Sequence, residues 1–256
     1  MAINIPIVST FDPKGLDAAE KALGGLSGSA GKVGSILKAS VVPGLIAAAG
    51  SVLAFTKGLN PAIQAASDLG ENTSKIGVIF GDAGKAVTDF AKTAAREIGQ
   101  SQNQVLAAAG TFGTFGKAAG LAGDQLATFT TDFITLSADL ASFNNTTPDE
   151  AINAIGAALR GEAEPLRRFG VLLNDATLKA AALELGIYSG SGALTAQQKI
   201  LAAQKVIYEQ TGDAQGDFAR TSDGLANQQR ILSAQLENIK IKIGEALLPA
   251  FTKLVK

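Results

Sequence analysis

Along most of this chain apolar residues recur at intervals of three and four, the period of a helix with one buried face, while the strict alternation of a strand occurs once. Ile3, Ile5 and Ile7 alternate with Ala2, Asn4 and Pro6, which predicts one short N-terminal strand that Pro6 confines to an edge. Pro13 to Leu26 then carries Leu16, Ala19, Leu23 and Leu26 at helical spacing, and Gly24 to Gly34 reads as a Gly/Ser/Ala-rich hinge. Asn60 followed by Pro61 predicts an N-cap with proline at the first helical position. Asp82 is expected to cap a helix reaching Ile98, with Gly99 as its stop, and Ser101 with Gln104 forms a capping box for the next.

Two apolar stripes stand out. Leu126, Phe129, Phe133, Leu136, Leu140 and Phe143 alternate steps of three and four. Leu225, Gln229, Leu232, Leu236, Ile239, Ile243 and Ala246 do the same within a segment from Ser222 to Leu248, closed by Pro249, with Gln229 as a polar seam residue able to set register. Both are narrow for an independent core, so they are expected to act as self-association seams, pairing with copies of themselves or with each other. Between them, Thr147 as N-cap, Pro148 as first residue and Glu150 as the other half of a capping box start a helix that presents Ile152, Ile155 and Leu159 and stops near Gly161. Asn174 and Gly186 bracket another, and Thr195 with Gln198 opens one reaching Thr211.

Glycines at 110, 113, 116, 120 and 123 leave two readings open. They form either a seam for close helix approach or a flexible helix-loop-helix connection, since each glycine costs up to ~1 kcal/mol inside a helix. The pattern predicts an all-α chain of multiple helices with coiled-coil-like seams, elongated or loosely bundled. It divides into 1–34 (strand, helix and hinge), 35–123 (Ala/Gly-rich helices), 124–215 (helices) and 216–256 (a long helix or coiled coil continuing beyond the chain).

Composition narrows the chemistry. Of 256 residues, 46 are Ala and 29 Gly, whereas there are 12 Phe, 2 Tyr, no Trp, no Cys and no His, and the single Met is Met1. Without His or Cys there is no Ser-His-Asp triad, thiol nucleophile, disulfide or imidazole or thiolate metal site. With 22 basic and 23 acidic residues, the net charge of −1 gives no global footprint for nucleic acid or an acidic membrane.

Ser-x-x-Lys occurs at Ser29/Lys32 and Ser35/Lys38, in the hinge region and without the partner motifs that would make it catalytic. Glu162, Glu164, Arg167 and Arg168 read as a solvated ion-pair cluster rather than a paired-carboxylate site. No phosphate loop, calcium loop or dinucleotide fingerprint is present. The sequon-like strings at Asn72, Asn144 and Asn145 read as caps and loops. No catalytic residue, cofactor or metal is expected.

Met1 to Thr10 has no basic region followed by an apolar run, and reads as no signal peptide. From Ala39 to Thr56, 18 consecutive uncharged residues include Val41, Leu45, Ile46, Val52, Leu53 and Phe55. Pro43, Gly44 and Gly50 interrupt them, so the segment is read as a buried or oligomer-packed helix or as one that enters a bilayer under some conditions.

Longer composite strings carry a resemblance. ADLASFNNTTPDEAINAIGAALRGEAEPLRRFGVLLNDATLKAAALELGI (138–187), LTAQQKILAAQKVIYEQTGDAQGDFARTSDGLANQQRILSAQLENIKIKIGEALLPAF (194–251) and ASDLGENTSKIGVIFGDAGKAVTDFAKTAAREIG (66–99) together resemble the tape measure proteins of long-tailed bacteriophages, especially those infecting actinobacteria. The opening FDPKGL, Phe11 to Leu16, is similar to the start of such proteins, though that string is short.

The resemblance implies a structural protein whose helical length sets the length of the tail tube. It would occupy the tube lumen of the virion after assembly in the host cytoplasm, and leave ahead of the DNA at infection. It further implies homo-oligomers and contacts with the tail tube protein, tail-tip and tail-completion proteins and tail assembly chaperones. No sequence-specific nucleic acid binding follows from it. Even fully helical, the chain would span only roughly 380 Å at ~1.5 Å per residue, so an N-terminal part of a longer ruler, or a short relative, is expected. The alternative is a membrane-active helical pore or channel using 39–56, with a host membrane as partner.

Overall fold

In the computed structural model the backbone is described for residues 49–255, and side chains for residues 59–249 and Thr252. Helix makes up 79% of the structure, and no strand forms among the described residues. The expected strand at Ile3–Ile7 and the hinge at 24–34 lie outside them.

Nine α-helices follow one another among the described residues: α1 (Ala49–Phe80), α2 (Gly84–Glu97), α3 (Gln102–Ala118), α4 (Gly123–Phe143), α5 (Pro148–Arg160), α6 (Asp175–Glu184), α7 (Ala196–Gln210), α8 (Asp217–Arg220) and α9 (Leu225–Val255). Short 3-10 segments lie at Gly81–Ala83 and Glu164–Phe169. The described residues divide into two compact units, residues 67–238 and residues 49–66 with 239–255. Unit 67–238 spans the expected boundaries at 123/124 and 215/216.

Local signals place many helix ends. Ser101 and Gln104 form both halves of a capping box, as do Thr195 and Gln198, and Asn174 pairs in the same way with Thr177. Thr147 accepts from the Glu150 N–H, Pro148 opens α5, and Gly161 closes it with a left-handed φ of 101°. Five expectations fail. The Glu150 side chain does not complete a box; it accepts from the Thr146 hydroxyl and pairs with Arg168 at 2.9 Å. Asp82 lies in the 3-10 turn, and the N-cap of α2 is Ala83, with no side-chain cap. Pro61 and Pro249 lie inside α1 and α9, neither starting nor ending a helix. Asn72, read as a cap or loop, sits in the interior of α1 and donates to the Asn103 side chain at 2.6 Å.

In unit 67–238, α4 is the central helix, in contact with α2, α3, α5, α8 and the first 3-10 turn. Its Phe133 ring stacks on Phe112 of α3 at 5.4 Å, meets Phe129 edge-on at 4.9 Å, and lies 5.5 Å from the Tyr208 ring of α7. The glycine run divides between both of its readings. Gly110, Gly113 and Gly116 form a buried face inside α3, whereas Gly120 and Gly123, with φ of 81° and 55°, make the turn into α4. A Cβ on Gly113 would sit 2.4 Å from Phe80 Cζ, and one on Gly116 would sit 2.4 Å from Leu126 Cδ1. Each helical glycine costs up to ~1 kcal/mol, while burying a Phe or Leu contributes about 1.5–3 kcal/mol. The seam is therefore favourable on balance.

The α6–α7 hairpin carries a satellite core of Ala181, Ala182, Leu194, Ala202 and Val206, flanked by Leu173, Leu178, Ile187 and Tyr188.

In the other unit, Gly244 of α9 lies against the backbone of α1. A Cβ there would fall 1.8 Å from the Ala62 carbonyl oxygen, so only glycine permits this approach.

Candidate functional site

The first stripe is interior. Leu126, Phe129, Phe133, Leu136 and Leu140 are each 2% exposed or less, and only Phe143, at 54%, reaches solvent. The expected self-association role for this stripe is corrected: α4 buries it against helices of its own chain, where small residues of α3 let Leu126 and Phe129 seat deeply. The sequence pattern showed the stripe, but not that four helices and a 3-10 turn would pack against α4.

The second stripe has the opposite disposition. Leu225 is 67% exposed and Leu236 52%, Gln229 is exposed, and Leu232, Ile239 and Ile243 are half-buried. Its leucine line therefore does not pair with the first stripe.

What α9 turns inward between Leu225 and Asn238 is mainly polar. Asn227, 3% exposed, donates to Ser142 Oγ at 2.9 Å and Thr221 Oγ1 at 2.8 Å. The Arg230 guanidinium donates to Asn227 Oδ1 and to the carbonyls of Thr146 at 2.9 Å and Ala141 at 3.4 Å, at the C-terminal end of α4, where cations are favoured. Partial burial lowers the Arg230 pKa. Asn238 Oδ1 accepts the Gln102 N–H at 2.8 Å, and Ala234 is buried between these groups.

A buried carboxylate joins distant parts of the unit. Asp139, 5% exposed, sits among the apolar residues of α4 and accepts the backbone N–H groups of Gly216 at 2.8 Å and Phe218 at 3.1 Å. It thus caps α8 from another helix. Burial pushes its pKa up; the two N–H donors oppose this, Asp217 adds to it and Arg220 counters. Phe218, 2% exposed, lies over Gly99, whose φ of 65° suits glycine and whose added Cβ would fall 2.9 Å from that ring. Asp139 went unnoticed in the sequence because helix periodicity attends to the apolar neighbours on either side. An acid between Ala138 and Leu140 in an otherwise apolar stretch was the available signal.

An open groove of about 1040 Å³ runs between α3, the N-terminal turn of α5 and α9, lined by residues including Asn103, Ala107, Ile152, Gln229, Arg230 and Ala234. Its charged residues are Asp149, Arg230 and Glu237. Among the described residues no group of three or more acidic side chains is placed to hold a metal ion. The Glu162, Glu164, Arg167 and Arg168 cluster forms exposed ion pairs, Arg160 with Glu162 at 3.2 Å and Arg167 with Glu164 at 2.8 Å, as expected of a solvated face.

Ser29, Lys32, Ser35 and Lys38 lie outside the described residues, as do Val41, Leu45 and Ile46. Val52, Leu53 and Phe55 fall on the backbone of α1. No helix among the described residues is long and apolar enough to cross a membrane. Comparison of the chain with known protein families, curated proteins and solved structures finds no match.

Proposed function

We propose that the chain is all or part of a bacteriophage tail tape measure protein, a structural scaffold rather than an enzyme. It sets tail tube length, occupies the tube lumen and is released at infection to assist DNA ejection. One observation carries this reading beyond the resemblance of strings. Asp139, inside the tape-measure-like string at 138–187, holds the backbone of Gly216 and Phe218, inside the second such string at 194–251. The parts of the sequence most like that family thus meet at a packing joint, and their polar residues there cap helices and close turns, which suits a scaffold. The partners on this reading are the tube, tail-tip and tail-completion proteins, tail assembly chaperones and further copies of the chain, the copies joined through the exposed leucine line of α9 in an elongated or loosely bundled helical assembly.

The test is genetic. An in-frame deletion of the codons for the packed unit, residues 67–238, is made in the phage that encodes the chain, and tails are measured by electron microscopy. Shortened tails are expected; viable particles with tails of unchanged length would refute the ruler role.

A further inference from the structure

Between α8 and α9 the chain lies on the surface: from Ala219 to Ala226 every residue is exposed except the half-buried Ser222. Within this stretch Asp223 is the one aspartate of the sequence followed by glycine, and no asparagine is. The Asp223 carboxylate makes no hydrogen bond or ion pair with the described residues, whereas Asp139 is held by two N–H groups and Asp89 by two lysines. Gly224 is the hinge point of the local backbone. Its N–H closes the turn at 221–224 on the Thr221 carbonyl at 2.9 Å, and its own carbonyl accepts the Gln228 N–H at 2.9 Å, the first helical bond of α9. A Cβ at 224 would fall 3.0 Å from the Thr221 oxygen, so the turn favours glycine here, and glycine leaves its amide nitrogen unshielded next to a free carboxyl.

We infer that the Asp223-Gly224 peptide is a self-modification site, where the chain converts aspartate to isoaspartate with water as the only co-reactant, and that the product lengthens the turn that starts α9. The Gly224 backbone nitrogen attacks Cγ of the protonated Asp223 carboxyl. The N–Cγ bond forms, a Cγ–O bond breaks, and the hydroxyl leaves as water with the amide proton, closing a five-membered succinimide. Water then opens the ring. Addition at Cγ returns aspartate; addition at the main-chain carbonyl carbon leaves the backbone running through Cβ and Cγ, with the former main-chain carboxyl as a side chain and no change in mass or oxidation state. The bond that must open first is the exposed one from the Gly224 N–H to Thr221, which is worth little net, and no apolar side chain is buried between Ala219 and Ala226 to oppose local opening. Isoaspartate adds one backbone carbon between the Thr221 carbonyl and the Gly224 nitrogen, so the turn and the first helical bond lose their register. Asn227, whose side chain donates to Thr221 Oγ1 at 2.8 Å and to the Thr221 carbonyl at 3.3 Å, is displaced by the same step. The inference rests on the chemistry of one dipeptide in this turn and is independent of the tail assignment.

Peptide mapping of the full chain, aged for weeks in neutral buffer at physiological temperature, tests this, with electron-transfer fragmentation to separate isoaspartate from aspartate at equal mass. Isoaspartate is expected at 223 and at no other aspartate. Asp223→Glu is expected to lose it, because the same attack would have to close a six-membered ring. Asp223→Asn, of nearly equal size, is expected to form it faster, with ammonia leaving in place of water. Amide hydrogen exchange then compares aged with fresh chain: peptides covering 225–230 should exchange faster after ageing, while those of α3 and α4 keep their protection. A native chain that forms no isoaspartate at 223, while the same chain in urea does, would overturn the inference, because the turn would then shield the amide. Absence from both, or equal accumulation at other aspartates, would overturn it as well. Equal exchange in fresh and aged chain would refute the effect on α9.

Discussion

Gly113 shows how much of a residue's role depends on what arrives from elsewhere in the chain. Its place in a run of glycines at helical spacing is visible in the sequence, but the ring that fills the gap belongs to Phe80, on a helix that spacing alone does not bring near. A methyl at 113 would lie 2.4 Å from Phe80 Cζ and 2.7 Å from Cε2, and Phe80 is itself buried, so neither side can yield cheaply. Gly113→Ala is therefore expected to lower unfolding stability by about 1–3 kcal/mol, despite the better helix propensity of alanine. Gly77 is the control, inside α1 with nothing within 4 Å of an added Cβ. Gly77→Ala should raise stability by about 0.5–1 kcal/mol. Urea unfolding of the two variants beside the parent reads both signs in one experiment; a loss at both positions would mean that close packing is not what sets Gly113 apart.

Within α2, Asp89 lies between Lys85 four residues before it and Lys92 three residues after, with the Lys92 ammonium at 2.8 Å. Hydrogen bonds from Lys85 first and Lys92 second hold its carboxyl at about 2 against an ordinary 3.8. Because the folded value is the lower one, the stabilisation is complete above the ordinary value and is lost as pH falls from 3.8 toward about 2. The carboxylate is solvent-exposed, so the effect is small and salt-sensitive. Thermal unfolding of the parent is expected to lose more stability across that window than Asp89→Asn, with the difference shrinking in high salt. Parallel pH profiles would contradict the assignment. Element boundaries of this local kind were the most legible in the sequence: the caps at Ser101, Thr147, Asn174 and Thr195 depend on residues three positions apart. Pro61, Pro249 and Glu150 were misread for the complementary reason. Each is a valid terminus signal taken alone, but α1 and α9 continue through their prolines, and Arg168 and Thr146 offer Glu150 partners that a four-residue window does not contain.

At the scale of the whole molecule, the two apolar stripes have the same period and opposite fates, and no sequence pattern distinguishes them. The stripe on α4 is covered because Gly113, Gly116 and the small residues of α3 allow aromatic rings to close over it, and Asp139 is tolerated within it because two backbone N–H groups meet the carboxylate there. The line on α9 stays open because the opposite face of that helix is the one held. Equal periodicity thus predicts unequal consequences. Phe133→Ala is expected to cost about 3–5 kcal/mol, through a cavity between Phe112, Phe129 and Tyr208, with no change in the mass of whatever oligomer the chain forms. Leu225→Asp with Leu236→Asp should do the reverse, leaving the unfolding midpoint nearly unchanged, because both leucines are more than half exposed, while lowering the oligomer mass measured by sedimentation. Should the aspartates unfold the chain, or should Phe133→Ala dissociate it, the assignment of core and surface to these stripes would be inverted. Should the aspartates leave the mass unchanged, copies of the chain would have to meet elsewhere.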